Sequence, residues 1–455
     1  MSSLMDKPRR WQKWAGALAG GLALSIGMIG AGVSGATARS HGNTQLRSHA
    51  SSQSLTLWVD AARLPQAKAY AKAHPSVKVN IVTFDAGANG SGSIESKVAL
   101  FNRIGHGWPD VIFSAEANDI QRLAAPQFGN FAAVLNQGLV SKSVLGNFAT
   151  GALSPCTVDG KVECLRNDLA FDVLWYNAPL MKQFGYSVPT TWQQWQTIGL
   201  DVAKNHPGYI IGTAGNSYDD AIYLQAAQCP INDELNSYTL LDNPNDVHCT
   251  RMGKLLDPLL ANKTIPVVSV FASTFAQQYS GKVLMMVGPA WYSGAIFEST
   301  SSLNGPKGAW AAAPPLSWGG GKAYTGDVGG GLWILSSHSA NEQLAAQALV
   351  WLATSNTSQL LSQGYPGYKP AAKVWIAAQD KSGFFATPLA PAFGTAAPEV
   401  WTGWTETPWD AFGLWAANAT PNLTTRATFS SQIPIIASQF SNSAASDGFT
   451  VVTKH

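Results

Sequence analysis

Leu55-Thr-Leu-Trp-Val59, Val77-Lys-Val-Asn-Ile-Val-Thr-Phe84 and Pro109-Asp-Val-Ile-Phe113 are three short apolar or alternating runs, and the segments between them decide the fold. Leu64 to His74 reads as a helix. Ile94 to Ile104 reads as a second, with Ile94, Val98, Phe101 and Ile104 at helical spacing. Gly87 to Gly92 reads as a flexible loop. Strand, helix, strand, helix, strand predicts an α/β fold with a parallel sheet and covering helices. In such sheets ligands gather at the carboxyl ends of the strands. That places Asp60, Asp85 and the segment Ser114 to Asp119 at the candidate site.

The pattern continues past the first unit. Leu169 to Tyr176, Tyr209 to Gly212, Lys282 to Val287 and Gly329 to Leu335 read as strands. Asn177 to Phe184, a Thr-capped helix after Pro189-Thr-Thr-Trp192, Asp219 to Gln228 and Asn341 to Ala353 read as helices. No internal repeat is evident. Cys156 and Cys164 bracket an alternating stretch around Asp159-Gly160, a hairpin signal that predicts a disulfide across its ends. Cys229 and Cys249 then form the second bridge. Metal binding is the weaker alternative, because no Cys-x-x-Cys spacing and no His pair accompanies them.

The first residues read as an export signal. Lys7, Arg9, Arg10 and Lys13 precede an uncharged run from Ala15 to Val33, and Ala36-Thr37-Ala38 supplies small residues for cleavage before Arg39. The run is also long enough to remain as an uncleaved membrane anchor. The expected location is extracytoplasmic, in a periplasm or at a cell surface, where disulfides persist. Residues 39–54 read as a flexible polar linker. The remaining ~400 residues exceed one ordinary core and fit two domains.

With 29 Lys+Arg against 27 Asp+Glu and no basic run beyond the signal, nucleic acid is not an expected partner. Charged residues make up 12% of the chain, about half the usual share. Trp is abundant at 17, often beside Gly or Pro. More than half of these rings are expected simply to pack. The others could form flat apolar platforms at a cleft, which suit the C–H faces of sugar rings.

In its order of segments the chain resembles the extracellular solute-binding proteins of ABC sugar importers, the family that includes maltose-binding protein. The pieces that carry the resemblance are Leu55-Thr-Leu-Trp58, Pro109-Asp-Val-Ile-Phe113, Leu174-Trp-Tyr-Asn177 and Pro189-Thr-Thr-Trp192. Gly281-Lys-Val-Leu-Met-Met286 with Gly288-Pro289-Ala290-Trp291, and Gly329 to Gly331, complete the series. The resemblance implies two α/β lobes joined by hinge crossings, with the ligand between them. Residues 55–168 and 333–370 would form lobe 1, and 169–332 and 371–455 lobe 2. It also implies a monomer, no cofactor, a sugar ligand and a membrane permease as partners, and ligand contacts from Trp58, Asp60, Arg63, Glu116, Asn118, Asp119, Asn216, Tyr218, Trp291, Gly330 and Gly331. One of Trp401, Trp404 and Trp409 is expected to reach the cleft, with Trp404 preferred. Several relatives carry an acidic residue where this chain has Ala170, and Asp172 is the candidate replacement.

No Gly-x-Ser-x-Gly, His-Glu-x-x-His or P-loop pattern is present, so the chain is not expected to be an enzyme. A non-sugar solute (a glycerophosphodiester, polyamine or peptide) remains an alternative. A secreted carbohydrate-active enzyme with facing carboxylates is a more distant one.

Overall fold

The computed structural model describes residues 53–86, 92–126, 129–236, 238–404 and 407–453. The signal segment, nearly all of the linker and most of the Gly87 to Gly92 loop lie outside the described residues. Among those described, no helix is long and apolar enough to cross a membrane.

Two cores organise the chain. The first surrounds a five-stranded sheet in the order Lys78–Thr83, Ser54–Val59, Val111–Ser114, Leu332–Leu335, Leu165–Arg166. The first three strands are parallel, in register Leu57 to Ile81 and Leu57 to Val111. Leu332–Leu335 then runs antiparallel between Val111–Ser114 and Leu165–Arg166. The two-residue alternation of strands explains why both faces are apolar. Val111, Phe113, Trp333 and Leu335 enter one layer with Leu349 and Leu352 of helix Glu342–Thr354. Ile112, Leu332 and Ile334 enter the opposite layer with Ile94 and Val98 of helix Ser93–Ile104. Covered faces on both sides are what a largely parallel sheet requires.

The second core is larger. At its centre is an antiparallel sheet, Met285–Pro289, Asp172–Asn177, Trp310–Ala313, paired from Met285 with Tyr176 through Pro289 with Asp172. Trp175, Trp192, Trp195, Trp375, Trp409 and Trp415 are all buried there, so these rings pack. Helix Trp192–Asn205 starts in a full capping box, in which Thr191 accepts from the Gln194 amide and the Gln194 side chain returns the bond.

Both predicted disulfides form, Cys156–Cys164 across its hairpin and Cys229–Cys249. Three readings change. Tyr209 to Gly212 is not a strand: only Ile210 bridges, to Val283, while Ile211 donates instead to Thr264 O. The segment after Asp219 is a π-helix, Asp220–Gln225, and all six of its residues are buried. The strand expected from Gly329 begins only at Leu332, because Gly329 and Gly330 take φ of 78° and 85°, a left-handed backbone outside any strand.

Between the cores the chain passes through three adjacent segments. Residues 166–172 lead out of the first sheet, residues 325–332 lead back, and Tyr365–Pro366 pairs with Asp168–Leu169. These crossings form the floor of the cleft.

Candidate functional site

A cleft of about 230 Å³ opens above the crossings. One wall is aromatic. The strand Met285–Pro289 ends in Ala290, whose amide is held by Phe171 O at 2.9 Å, and the chain then turns Trp291 into the cleft. The half-buried indole donates from Nε1 to Val328 O at 2.9 Å. Phe271 lies parallel to it, and Tyr218 meets it edge-on at 5.7 Å. Phe412, from helix Ala411–Asn418, completes the wall against Tyr218.

The facing wall is polar and comes from the first sheet. Arg63 precedes helix Leu64–Ala73; Asp60 accepts from its amide at 2.8 Å and from Nη1 at 3.1 Å. The guanidinium carbon sits 4.2 Å over the Phe113 ring, and Nη2 is 3.9 Å from Asp168 Oδ1. Buried Asp168 also accepts from Asn167 Nδ2 at 2.8 Å and from the Gly331 amide at 3.2 Å. Glu116 follows strand Val111–Ser114, and its amide is held by Ser114 Oγ at 3.0 Å. Gly329, Gly330 and Gly331 bring bare backbone to the cleft; a Cβ on Gly331 would lie 2.1 Å from the Phe113 ring.

Of the thirteen ligand-binding candidates named from sequence, the structure gathers Arg63, Glu116, Tyr218, Trp291, Gly330 and Gly331 on this lining. The others stand back from it for physical reasons. Trp58 packs between Phe84 and Phe101. Asp60 holds Arg63 from behind. Asn118 is buried at the start of helix Asp119–Leu123. Asp119 is buried against Ser114 Oγ at 2.5 Å; burial, with Glu95 beside it, holds its carboxyl well above the usual range. Asn216 spends its amide on Thr213 and Asp219 and its carbonyl oxygen on the Val270 amide, which braces the Phe271 loop. Trp404 lies edge-on to Phe440 in the second core. Asp172 is buried in the outgoing crossing, its carboxyl beside Gly326. Burial, and Asp327 nearby, push its pKa well up, which favours the uncharged form.

Sequence reasoning missed Asp168, Phe271, Phe412 and Gln363 on the lining. Asp168 had a usable signal. The expected replacement for an acidic residue at Ala170 is Asp172, two residues on, whereas the carboxylate on the lining, Asp168, lies two residues back. The aromatic that the Trp-rich late segment contributes is Phe412. Trp409 is buried, with its Nε1 on Asn232 Oδ1 at 3.0 Å.

In the aromatic wall and beneath it, burial suppresses the charge of several groups. Tyr218 and Tyr292 are held well above the ordinary phenol range by burial. Asp219 is pushed up to about 8 by burial, although Asn216 donates two hydrogen bonds to its carboxyl. The arrangement presents apolar ring faces against fixed hydrogen-bonding groups.

The family model of bacterial extracellular solute-binding proteins matches residues 55–359. No curated protein matches the chain by sequence. Among solved structures, the ABC transporter associated binding protein from B. animalis subsp. lactis Bl-04, in complex with beta-1,6-galactobiose, is similar at TM-score 0.73 and 18% identity, over 88% of this chain and all of that one. The galacto-N-biose-/lacto-N-biose I-binding protein of the ABC transporter from Bifidobacterium longum, in complex with lacto-N-biose, gives 0.71 and 18%, over 88% of this chain and 98% of that one. The GacH receptor of Streptomyces glaucescens, solved unliganded and with acarbose, gives 0.68 and 17%, over 87% and 99%. At these identities the likenesses establish the two-lobe fold.

Proposed function

The chain belongs to the bacterial extracellular solute-binding proteins, and we propose that its solute is a mono- or oligosaccharide, captured between the lobes and passed unaltered to the membrane permease of an ABC importer. The observation that carries this reading is the pairing of walls. Trp291, Phe271, Tyr218 and Phe412 offer ring faces to apolar C–H surfaces, while Arg63, Glu116, Asp168 and glycine backbone offer hydrogen bonds to hydroxyls. The fold neighbours bound to galactobiose, lacto-N-biose and acarbose support the same class. The volume sits below the ~300–1,000 Å³ typical of drug-sized ligands, which favours a short sugar. Among the described residues Arg63 is the only cation on the lining, and Asp60 and Asp168 already engage it, which disfavours a phosphate-bearing solute.

In this reading residues 55–168 and 333–370 form one lobe, and 169–332 and 371–455 the other. They close by hinge motion, and a monomer is released outside the cytoplasm by cleavage after the signal. Isothermal titration of residues 39–455 against galactobiose, lacto-N-biose, maltose and xylobiose tests the proposal. Saturable binding of one sugar, recovered intact by chromatography, is the expected result. Binding only to a glycerophosphodiester or polyamine control, or release of smaller sugars, would overturn it.

A further inference from the structure

We propose that Arg166 is the positioning residue of the cleft: one buried guanidinium ties the outgoing and returning crossings together and sets the backbone that faces the solute. The proposal rests on the solute-binding reading but not on which solute is bound. Arg166 ends the short strand Leu165–Arg166 at the edge of the first sheet and is 1% exposed. A charge so deeply buried persists only when paired and fully hydrogen-bonded. Its donors reach both crossings. Nε donates to Asp168 O at 2.8 Å on the outgoing segment. Nη2 donates to Asp327 Oδ2 at 2.9 Å and to Gly329 O at 2.7 Å on the returning one. The planar, rigid fork of arginine suits three acceptors on two crossings, which the point charge of lysine does not.

The surroundings are shaped to it. A Cβ on Gly330 would lie 2.1 Å from Nη2, and one on Gly367, in the third crossing, 3.2 Å from the Arg166 Cβ. Asp327, fixed by Nη2, accepts from the Ala170 amide at 3.1 Å through its other oxygen. The Val328 amide then bonds Ala170 O at 3.0 Å, and the Asn167 amide bonds Gly331 O at 2.7 Å. Asp168 and Gly329 to Gly331, all on the lining, are thus held in one register by a side chain that does not itself line the cleft. The bonds lie at the pivot, so the two walls can swing while the floor keeps its shape.

The test uses solute-free protein. Arg166→Met, Arg166→Lys and Gly330→Ala would be compared with wild type by amide hydrogen exchange. Spin-label distances would be measured between Lys142→Cys, beside the first core, and Lys254→Cys, on the second; the native cysteines are all paired. The expected result is at least tenfold faster exchange in residues 325–331 and at Asn167, with a broadened distance distribution. Exchange in Val111–Ser114 should stay unchanged, which a general loss of stability would not allow. Arg166→Lys should restore only part of the protection, and Gly330→Ala, by displacing the guanidinium, should mimic Arg166→Met. Wild-type exchange and distances in Arg166→Met would overturn the proposal. So would insoluble Arg166 variants beside a Gly330→Ala protein that exchanges like wild type. Failure of every sugar to bind would count against the sugar reading and leave this result intact.

Discussion

Trp291 and Phe271 stand with their rings 8° from parallel and 5.7 Å between centroids, Phe271 half exposed and Trp291 tied back to Val328 O. At that separation the rings stack with an offset, one over part of the other, and form a stepped apolar shelf. Tyr218 closes its edge.

Trp291→Ala should therefore act on affinity more than on folding. A Trp buries ~150–250 Å² when covered; a third of that against a solute is worth roughly 1–2 kcal/mol, or about tenfold in Kd. Losing the Val328 bond and packing on Tyr292 should cost about 1–2 kcal/mol of stability. Calorimetry with the cognate sugar, beside the Tm of the solute-free protein, separates the two. A large Tm drop with unchanged Kd would contradict the shelf.

Asp219 should make stability fall with rising pH. Its folded pKa, about 8, lies above the ordinary 3.8, so between those values the folded state holds a proton that the unfolded state has lost. Stability from this group is full below ~4 and is lost up to ~8, at roughly 1.4 kcal/mol per pH unit. Asp219→Asn should remove about one proton's slope from the Tm–pH curve between pH 5 and 8. Below pH ~4 its stability would be slightly lower than wild type, since the amide nitrogen cannot accept the second bond from Asn216; toward pH ~8 the order would reverse, because the variant has no proton to lose. An unchanged slope would rule Asp219 out as its source.

Asp172→Asn should change little at pH 6, within about 1 kcal/mol, because burial already disfavours the charged carboxylate and the amide keeps an acceptor oxygen toward Gly326. The contrast is Asp168→Asn, which weakens the acceptor of the Gly331 amide and the partner of Arg63. Urea unfolding of both variants, with sugar titration, should show the binding defect in Asp168→Asn alone.

Reducing the disulfides should lower stability without altering binding. Neither bridge lines the cleft, and each pairs residues close in sequence, 8 and 20 apart. The chain-entropy account gives roughly 2.5 and 3 kcal/mol for such closures. Paired Cys156→Ala/Cys164→Ala and Cys229→Ala/Cys249→Ala variants should each melt earlier and keep the wild-type Kd.

Much of the fold was readable because alternation and spacing report burial directly. Leu55 to Val59 and Pro109 to Phe113 fell where expected, and the cysteine pairing followed from the hairpin. The partners of a strand are another matter. Nothing in Leu332-Trp-Ile-Leu335 says that it will slot beside Phe113 rather than next to Val287. The site was harder for the same reason. Trp291 follows a Gly288-Pro289 pair that reads as a turn but stays in the strand, the chain turning only at Ala290; Phe271 and Phe412 come from segments whose place depends on Asn216 bracing one loop and Asp410 capping a helix. The late cluster of tryptophans stands out in the sequence more than Phe412 does, yet Trp409 and Trp415 are buried in the second core.

The interior place of Leu332–Leu335 in the first sheet also has a consequence in time. Leu165–Arg166 has no neighbour in that sheet except this strand, which leaves the ribosome roughly 170 residues later; at ~5–20 residues per second that is about 10–30 s. Until then Phe113 lacks Trp333, and the helix that will cover both, Glu342–Thr354, has not been made. The first half of the chain is therefore obliged to stay incomplete until synthesis is well past its middle. That delay opens a long interval in which its apolar strands need protection from one another.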